Sequence, residues 1–186
     1  MKILAGVDEV GRGSLIGPVY AAAVILNNSI DKKLLKDSKT LTKDKREELE
    51  KYIKKNSIWA IGQASIKEIE KINILHASLL AMKRAILKLK IKPSLVLIDG
   101  NKLPDLKNYK LEYIIKGDQK IPNISAASII AKVSRDKFIT KLSKEFNDYG
   151  WDKNSGYGTK EHLKAIKQFG ITKYHRKTFS PISDLL

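Results

Sequence analysis

Apolar residues along this chain come in short continuous blocks, interrupted by charged stretches with helical spacing. Residues 2–8 and 19–26 are two such blocks. They read as buried strands that pair with each other across the glycine-rich turn from Gly11 to Pro18. Residues 42–55 predict a charged surface helix, and 58–65 a third strand. Ser65-Ile-Lys-Glu68 has capping-box spacing and predicts the start of a short helix. Residues 76–90 are again helical and stop before Pro93. Residues 95–99 and 111–115 predict a fourth and fifth strand. A long helix follows from about 124 to 146, and a last one spans 159–169, ended by Gly170. This order predicts an α/β fold with a mixed five-stranded sheet flanked by helices. No internal repeat, low-complexity tract or Pro/Gly/Ser-rich linker divides the 186 residues, so one domain spanning 1–186 is expected.

Composition narrows the function. The net charge of +16 predicts a polyanionic partner, because cations on a surface release counterions when they meet phosphates. The 36 basic residues include only five arginines, Arg12, Arg46, Arg84, Arg135 and Arg176, which leaves 36 − 5 = 31 lysines, so part of the excess also fits compositional drift. No cysteine is present, which excludes disulfides, thiolate metal sites and cysteine nucleophiles. Met1-Lys2-Ile3-Leu4 runs straight into a strand pattern, so no signal peptide is expected. No apolar stretch approaches membrane-spanning length. A cytoplasmic protein without membrane contact is the expectation, and a monomer the simplest state.

Three apolar blocks run into acid: the first into Asp8-Glu9, the fourth strand into Asp99-Gly100, and the fifth, through Lys116-Gly117, into Asp118. In open α/β sheets, sites gather beyond the carboxyl ends of strands. If these three strands are parallel neighbours, Asp8, Asp99 and Asp118 converge at one edge. Crowded carboxylates repel unless a cation neutralises them. With no cysteine and three scattered histidines, that cation is expected to be hard and oxygen-liking, Mg²⁺ or Mn²⁺. Two such ions roughly 3.5–4 Å apart activate a water and stabilise the leaving oxygen of a phosphodiester. Taken singly, each aspartate is equally a turn former, Asp99-Gly100 above all. Consecutive strand residues point to opposite faces. Asp8 and Glu9 therefore reach one metal only if the strand distorts, or if Glu9 ligates through its longer side chain or its carbonyl.

The blocks Ala5-Gly-Val-Asp-Glu-Val-Gly-Arg-Gly-Ser-Leu-Ile-Gly-Pro18, Asp37-Ser-Lys39, Val96-Leu-Ile-Asp-Gly100, Lys116-Gly-Asp-Gln-Lys120, Ser125-Ala-Ala-Ser-Ile-Ile-Ala-Lys-Val-Ser-Arg-Asp136, Gly156-Tyr-Gly-Thr-Lys-Glu-His162 and His175-Arg-Lys-Thr-Phe-Ser-Pro181 closely resemble the ribonuclease HII family. They fall in order along nearly the whole chain. The resemblance implies a ribonuclease H-like fold whose C-terminal helical part, about 148–186, contributes to substrate binding. It implies hydrolysis of the RNA strand of RNA–DNA hybrids and cutting 5′ to ribonucleotides embedded in duplex DNA. The chemistry would be two-metal catalysis leaving 3′-hydroxyl and 5′-phosphate ends. It carries the catalytic and metal-ligand roles onto Asp8, Glu9, Asp99 and Asp118, with Asp136 in the long helix as the competing fourth acid.

Gly11-Arg12-Gly13 is implied to read the ribose 2′-hydroxyl. Glycines let backbone amides and carbonyls approach a sugar closely, and the 2′-hydroxyl is what separates RNA from DNA. Tyr157 resembles the family tyrosine that packs on the sugar beside the cut, and Lys39 and Lys120 are candidate phosphate contacts. Arg12, where a related family carries lysine, fits the HII branch, and the short stretch after Pro181 predicts no sliding-clamp contact. A junction resolvase or integrase-type nuclease would need no 2′-hydroxyl reader. A non-catalytic basic coat protein would need no acids at strand ends. His162 and His175 lack metal spacing and are expected to be structural or to touch phosphate. Trp59, in an apolar run, reads as core.

Overall fold

The computed structural model describes residues 3–35 and 41–185. Among these, β1 (Leu4–Val10), β2 (Val19–Leu26), β3 (Ser57–Ala64), β4 (Leu95–Asp99) and β5 (Leu111–Ile114) form one five-stranded sheet in the order β3-β2-β1-β4-β5. β1, β4 and β5 run parallel, while β2 is antiparallel to both β1 and β3. This is the expected mixed sheet, and the three acid-ended strands are parallel neighbours.

Helices α1 (Lys43–Lys55), α2 (Ile66–Leu87), α3 (Pro122–Ser143), α4 (Trp151–Asn154) and α5 (Lys160–Phe169) complete the chain. Ser65 caps α2 in the predicted box, its hydroxyl accepting from the Glu68 amide while the Glu68 carboxylate accepts from the Ser65 amide. The two helices expected between residues 65 and 90 are both present within α2. They meet at Asn73, which is left-handed in φ (63°) and whose side chain accepts from the amides of Leu75 and His76, capping the second segment. α3 begins two residues earlier than expected because Pro122 occupies its first turn, where a missing N–H costs nothing. It ends at Ser143, beyond which Glu145 and Phe146 bond to Leu142 in a looser turn.

Each face of the sheet buries its own core. Val7, Ala21, Ala23 and Ile98 pack with Ala77, Ala81 and Ile86 of α2. Ala22 and Val24 pack with Ala126, Ile130 and Val133 of α3. The run of alanines in β2 and α3 lets the helix lie close, and Gly6 permits the tightest point. A Cβ there would stand 2.2 Å from the Asn123 carbonyl carbon. Trp59 is half-buried at the rim of the second core, with the Lys54 ammonium 4.3 Å above its ring.

A third core gathers Ile139, Leu142, Tyr149, Trp151, Ala165, Ile166 and Ile182. Leu15 and Ile16, from the loop between β1 and β2, belong to it as well. The glycine loop is thus pinned between sheet and C-terminal helices, and Ile16 bridges to His175. No helix among the described residues is long and apolar enough to cross a membrane.

Candidate active site

Pairing of β1 with β4 ends at Val7 opposite Ile98, so Asp8 and Asp99 are the next residues on adjacent parallel strands. Asp99 continues the face of Leu95 and Leu97, and Asp8 continues that of Gly6; both faces meet α3. Burial pushes the Asp8 carboxyl well above the usual carboxylate range. The charges of Glu9 and Asp99 push it further up, against hydrogen bonds from the Ser128 hydroxyl and the Glu9 amide.

Glu9 is raised too, first by burial, with the Arg12 guanidinium pulling the other way and Asp99 adding to the rise. β1 does not distort at Glu9. Its pairing with β2 runs on regularly through Glu9–Ala21 and Val10–Tyr20. Glu9 therefore turns its side chain to the opposite face, where its Oε1 accepts from Arg12 Nη1 at 3.2 Å. Of the routes by which it could reach a shared metal, strand distortion is not used here.

The Gly117 amide donates to Asp99 Oδ1 at 2.6 Å. Asp118 follows in a 3-10 turn after β5, buried, and lines a small crevice with Lys32, Leu35, Lys120 and Ser125. The edge thus holds Asp8 and Asp99 as a pair, and Asp118 follows the Gly117 whose amide Asp99 accepts from. Among the described residues no three acids or histidines gather into a closed ion cage. Asp136 lies two turns beyond Ser128 on α3, its carboxylate accepting from Lys132 Nζ at 2.8 Å. Lys120 Nζ donates to the Ile115 carbonyl. Lys39 lies outside the described residues.

Gly11 has a φ of +91°, and a Cβ there would stand 2.2 Å from Arg135 Nε, so the position admits only glycine. Arg12 extends its side chain half into solvent. Across from Gly13 stands the Tyr157 ring, whose Cε1 lies 3.9 Å from where a Gly13 side chain would begin. The structure therefore brings together the two features the sequence proposed as a pair, 144 residues apart in the chain by subtraction of 13 from 157.

His162 and His175 hold the Tyr157 segment from beneath, both fully buried. The Thr172 amide donates to His175 Nδ1 at 2.8 Å, which places the proton of neutral His175 on Nε2. That nitrogen donates to His162 Nε2 at 3.3 Å, which also accepts from the Trp151 indole at 2.9 Å. His162 Nδ1 then donates to the Tyr157 carbonyl at 2.9 Å. Burial lowers both imidazoles, His175 to about 4 with the His162 charge as second cause. Their role is structural, and neither approaches the acids as a ligand.

Arg135 and Arg176 are the residues that sequence reasoning passed over. Both are fully buried against the glycine loop. The available clue was rarity: in a chain that uses lysine wherever a cation suffices, a retained arginine marks a place that needs the planar fork.

Comparison with known proteins places the chain in a family. The ribonuclease HII family model covers residues 5–181. The ribonuclease HII of Pelagibacter ubique (strain HTCC1062) is 97% identical over the full length of both chains. The ribonuclease H2 of Pyrococcus horikoshii OT3 superposes with a TM-score of 0.82 at 29% identity, covering 98% of this chain and 96% of that one. A ribonuclease HII of Archaeoglobus fulgidus, solved in complex with PCNA, gives 0.73 at 27% identity over 96% and 95%. A Bst ribonuclease HIII in complex with Mn²⁺ shares the fold at 0.76 and 18% identity, over 98% of this chain and 68% of that one. The chain belongs to the ribonuclease HII family, and it is a nuclease of the hydrolase class.

Proposed function

We propose that this enzyme hydrolyses the RNA strand of RNA–DNA hybrids and cuts 5′ to single ribonucleotides in duplex DNA, leaving 3′-hydroxyl and 5′-phosphate ends. One observation carries the reading: Asp8 and Asp99 share one face of adjacent parallel strands, a few residues along β1 from a glycine loop against which Tyr157 packs. The acids supply an all-oxygen donor set, and burial with added repulsion from Glu9 and Asp99 raises Asp8, as expected of carboxylates built to share a hard cation. Asp8, Glu9, Asp99 and Asp118 would hold Mg²⁺ or Mn²⁺, which when bound in pairs supplies an activated water and stabilises the leaving oxygen. The Mn²⁺ in the Bst ribonuclease HIII agrees with that donor chemistry.

The chain's own residues do the rest. Gly11-Arg12-Gly13 presents backbone polar groups to the 2′-hydroxyl, and Arg12 adds a contact to phosphate. Lys39 and the chain's excess of positive charge bind the backbone of the duplex. The Tyr157 ring packs on the deoxyribose beside the cut, presented by the C-terminal part from about 148 to 186. Residues 1–186 act as a single catalytic domain.

The test is an assay on duplex DNA carrying one ribonucleotide, with Mg²⁺ and with chelator. Cleavage 5′ to that nucleotide, dependent on the ion, is the expected result. A 2′,3′-cyclic phosphate product would mean that the 2′-hydroxyl itself attacks, and cleavage in chelator would remove the metal from the account.

A further inference from the structure

Two buried cations lie beneath the glycine loop, and neither makes an ion pair among the described residues. Burying a guanidinium without a carboxylate is costly, so its hydrogen bonds must supply what is lost. They go almost entirely to one short piece of backbone. Arg176 Nε donates to the Gly17 carbonyl and Nη1 to the Arg12 carbonyl, each at 2.9 Å, while the Arg176 amide donates to the Leu15 carbonyl at 2.8 Å. Arg135 Nη2 donates to the Ser14 hydroxyl at 2.6 Å and to the Ile16 carbonyl at 3.2 Å. Its Nη1 reaches the Ser155 carbonyl at 3.1 Å, and its guanidinium carbon lies 5.8 Å from the centre of the Tyr157 ring. Burial lowers both arginines, Arg176 to about 9, and each has a further N–H without a partner among the described residues, on Nε of Arg135 and Nη2 of Arg176.

Peptide geometry turns these inward bonds into an outward consequence. In a trans peptide the carbonyl and the following N–H point in opposite directions. The Arg12 carbonyl faces the buried Arg176, so the Gly13 N–H faces away from it, on an exposed residue beside the Tyr157 ring. The amides of Leu15, Ile16 and Gly17 are all taken, by Gly156, Ser14 and Tyr174. Those of Arg12 and Gly13 have no acceptor among the described residues. The loop is held at the Arg12 carbonyl and from Leu15 to Gly17, while the Arg12 and Gly13 donors stay open.

We propose that Arg176 and Arg135 are positioning residues for sugar selection: by holding the loop's carbonyls inward they fix the Gly13 amide as a donor to the ribose 2′-oxygen. This rests on the reading of the loop as the 2′-hydroxyl reader. Lysine at position 176 would keep the charge but lacks the fork, and one ammonium on a flexible stem cannot serve both the Arg12 and Gly17 carbonyls in fixed geometry.

The experiment compares cleavage of two duplexes, one with a single ribonucleotide and one with a 2′-fluoro nucleotide at the same position, by wild type, Arg176→Lys and Ser14→Ala. Fluorine accepts hydrogen bonds poorly, so the wild type should strongly prefer ribose. Arg176→Lys should lose at least tenfold of that preference, with kcat on the ribose substrate falling more than KM rises. Ser14→Ala removes one Arg135 acceptor with little change of volume. It should lose about threefold, and it stands as the test should Arg176→Lys not fold. A general structural loss would slow both duplexes equally, and an unchanged ratio in folded variants overturns the proposal. A wild type indifferent to the 2′ group would instead overturn the reading of the loop itself.

Discussion

At the ends of β1 and β4, acidic side chains stand together with burial and repulsion working against their charge. A few residues on, between Gly11 and Gly17, the chain has carbonyls at Arg12, Leu15, Ile16 and Gly17 all accepting from the main chain or side chains of two arginines. The first region is electrostatically stressed and open to a ligand; the second is over-determined by hydrogen bonds. The contrast teaches a division of labour. Acids that must bind and release cations gain from being under-neutralised, whereas a reader of one hydroxyl gains from having a single conformation.

The largest expected effect falls on the stressed region. Asp8→Asn or Asp99→Asn should reduce turnover on the order of a hundredfold or more while leaving hybrid binding largely intact, because the ion's ligands go and the loop does not. Single-turnover rates beside equilibrium binding would check this; near-normal turnover in Mg²⁺ would erase the distinction between the regions. Tyr157→Ala comes next. Loss of ring packing worth about 1–3 kcal/mol should slow cutting at a single embedded ribonucleotide roughly tenfold or more. All-RNA hybrids, which present no deoxyribose beside most cuts, should suffer less. The ratio of the two rates in wild type and variant is the readout, and an unchanged ratio leaves Tyr157 only a packing role against the glycine loop.

Acid stability sharpens the comparison because the two regions carry opposite signs. The folded-state pKa of Asp8 lies above its unfolded value, so its charge destabilises the metal-free fold at neutral pH. That penalty is relieved as pH falls below the raised value. His175 is depressed from 6.5 to about 4, so it contributes stability above 6.5 that is lost as pH falls from 6.5 toward 4. In metal-free buffer, Asp8→Asn should raise Tm near pH 7, whereas His175→Asn should flatten the fall of Tm between pH 6.5 and 4. Thermal melts across that range decide both. The smallest effect is expected at Asp136, already paired with Lys132. Asp136→Asn should change turnover by less than about threefold, as for a half-buried pair within one helix, and Asp118→Asn should be much worse. The reverse order would move the fourth ligand to α3.

These expectations divide along the same line as what could be read from the chain. β1, β2 and β4 were legible because each is built on a continuous apolar run, and Asp8 and Asp99 were legible because they end such runs. Even the break in α2 could be anticipated from two separate helical patterns, since Asn73 caps locally. The locks on the glycine loop were legible only in the rarity of arginine. Arg135 and Arg176 reach partners 119 to 164 residues away, and nothing near them in the chain hints at burial. Glu9 was only half legible: alternation demanded that it part from Asp8, but the Arg12 partner emerges only once the turn folds back. Asp118 could be placed after a strand, yet its crevice beside Leu35 and Ser125 depends on how α3 docks.

The central claim is that the acidic edge performs the chemistry while the loop chooses the sugar. It is tested most directly by Asp99→Asn on duplex DNA with a single ribonucleotide, measuring cleavage and binding on the same substrate in Mg²⁺. The account predicts wild-type-like preference in binding for the ribonucleotide over the all-DNA duplex together with loss of cutting. Cleavage near the wild-type rate, or binding that no longer distinguishes ribose from deoxyribose, would contradict it.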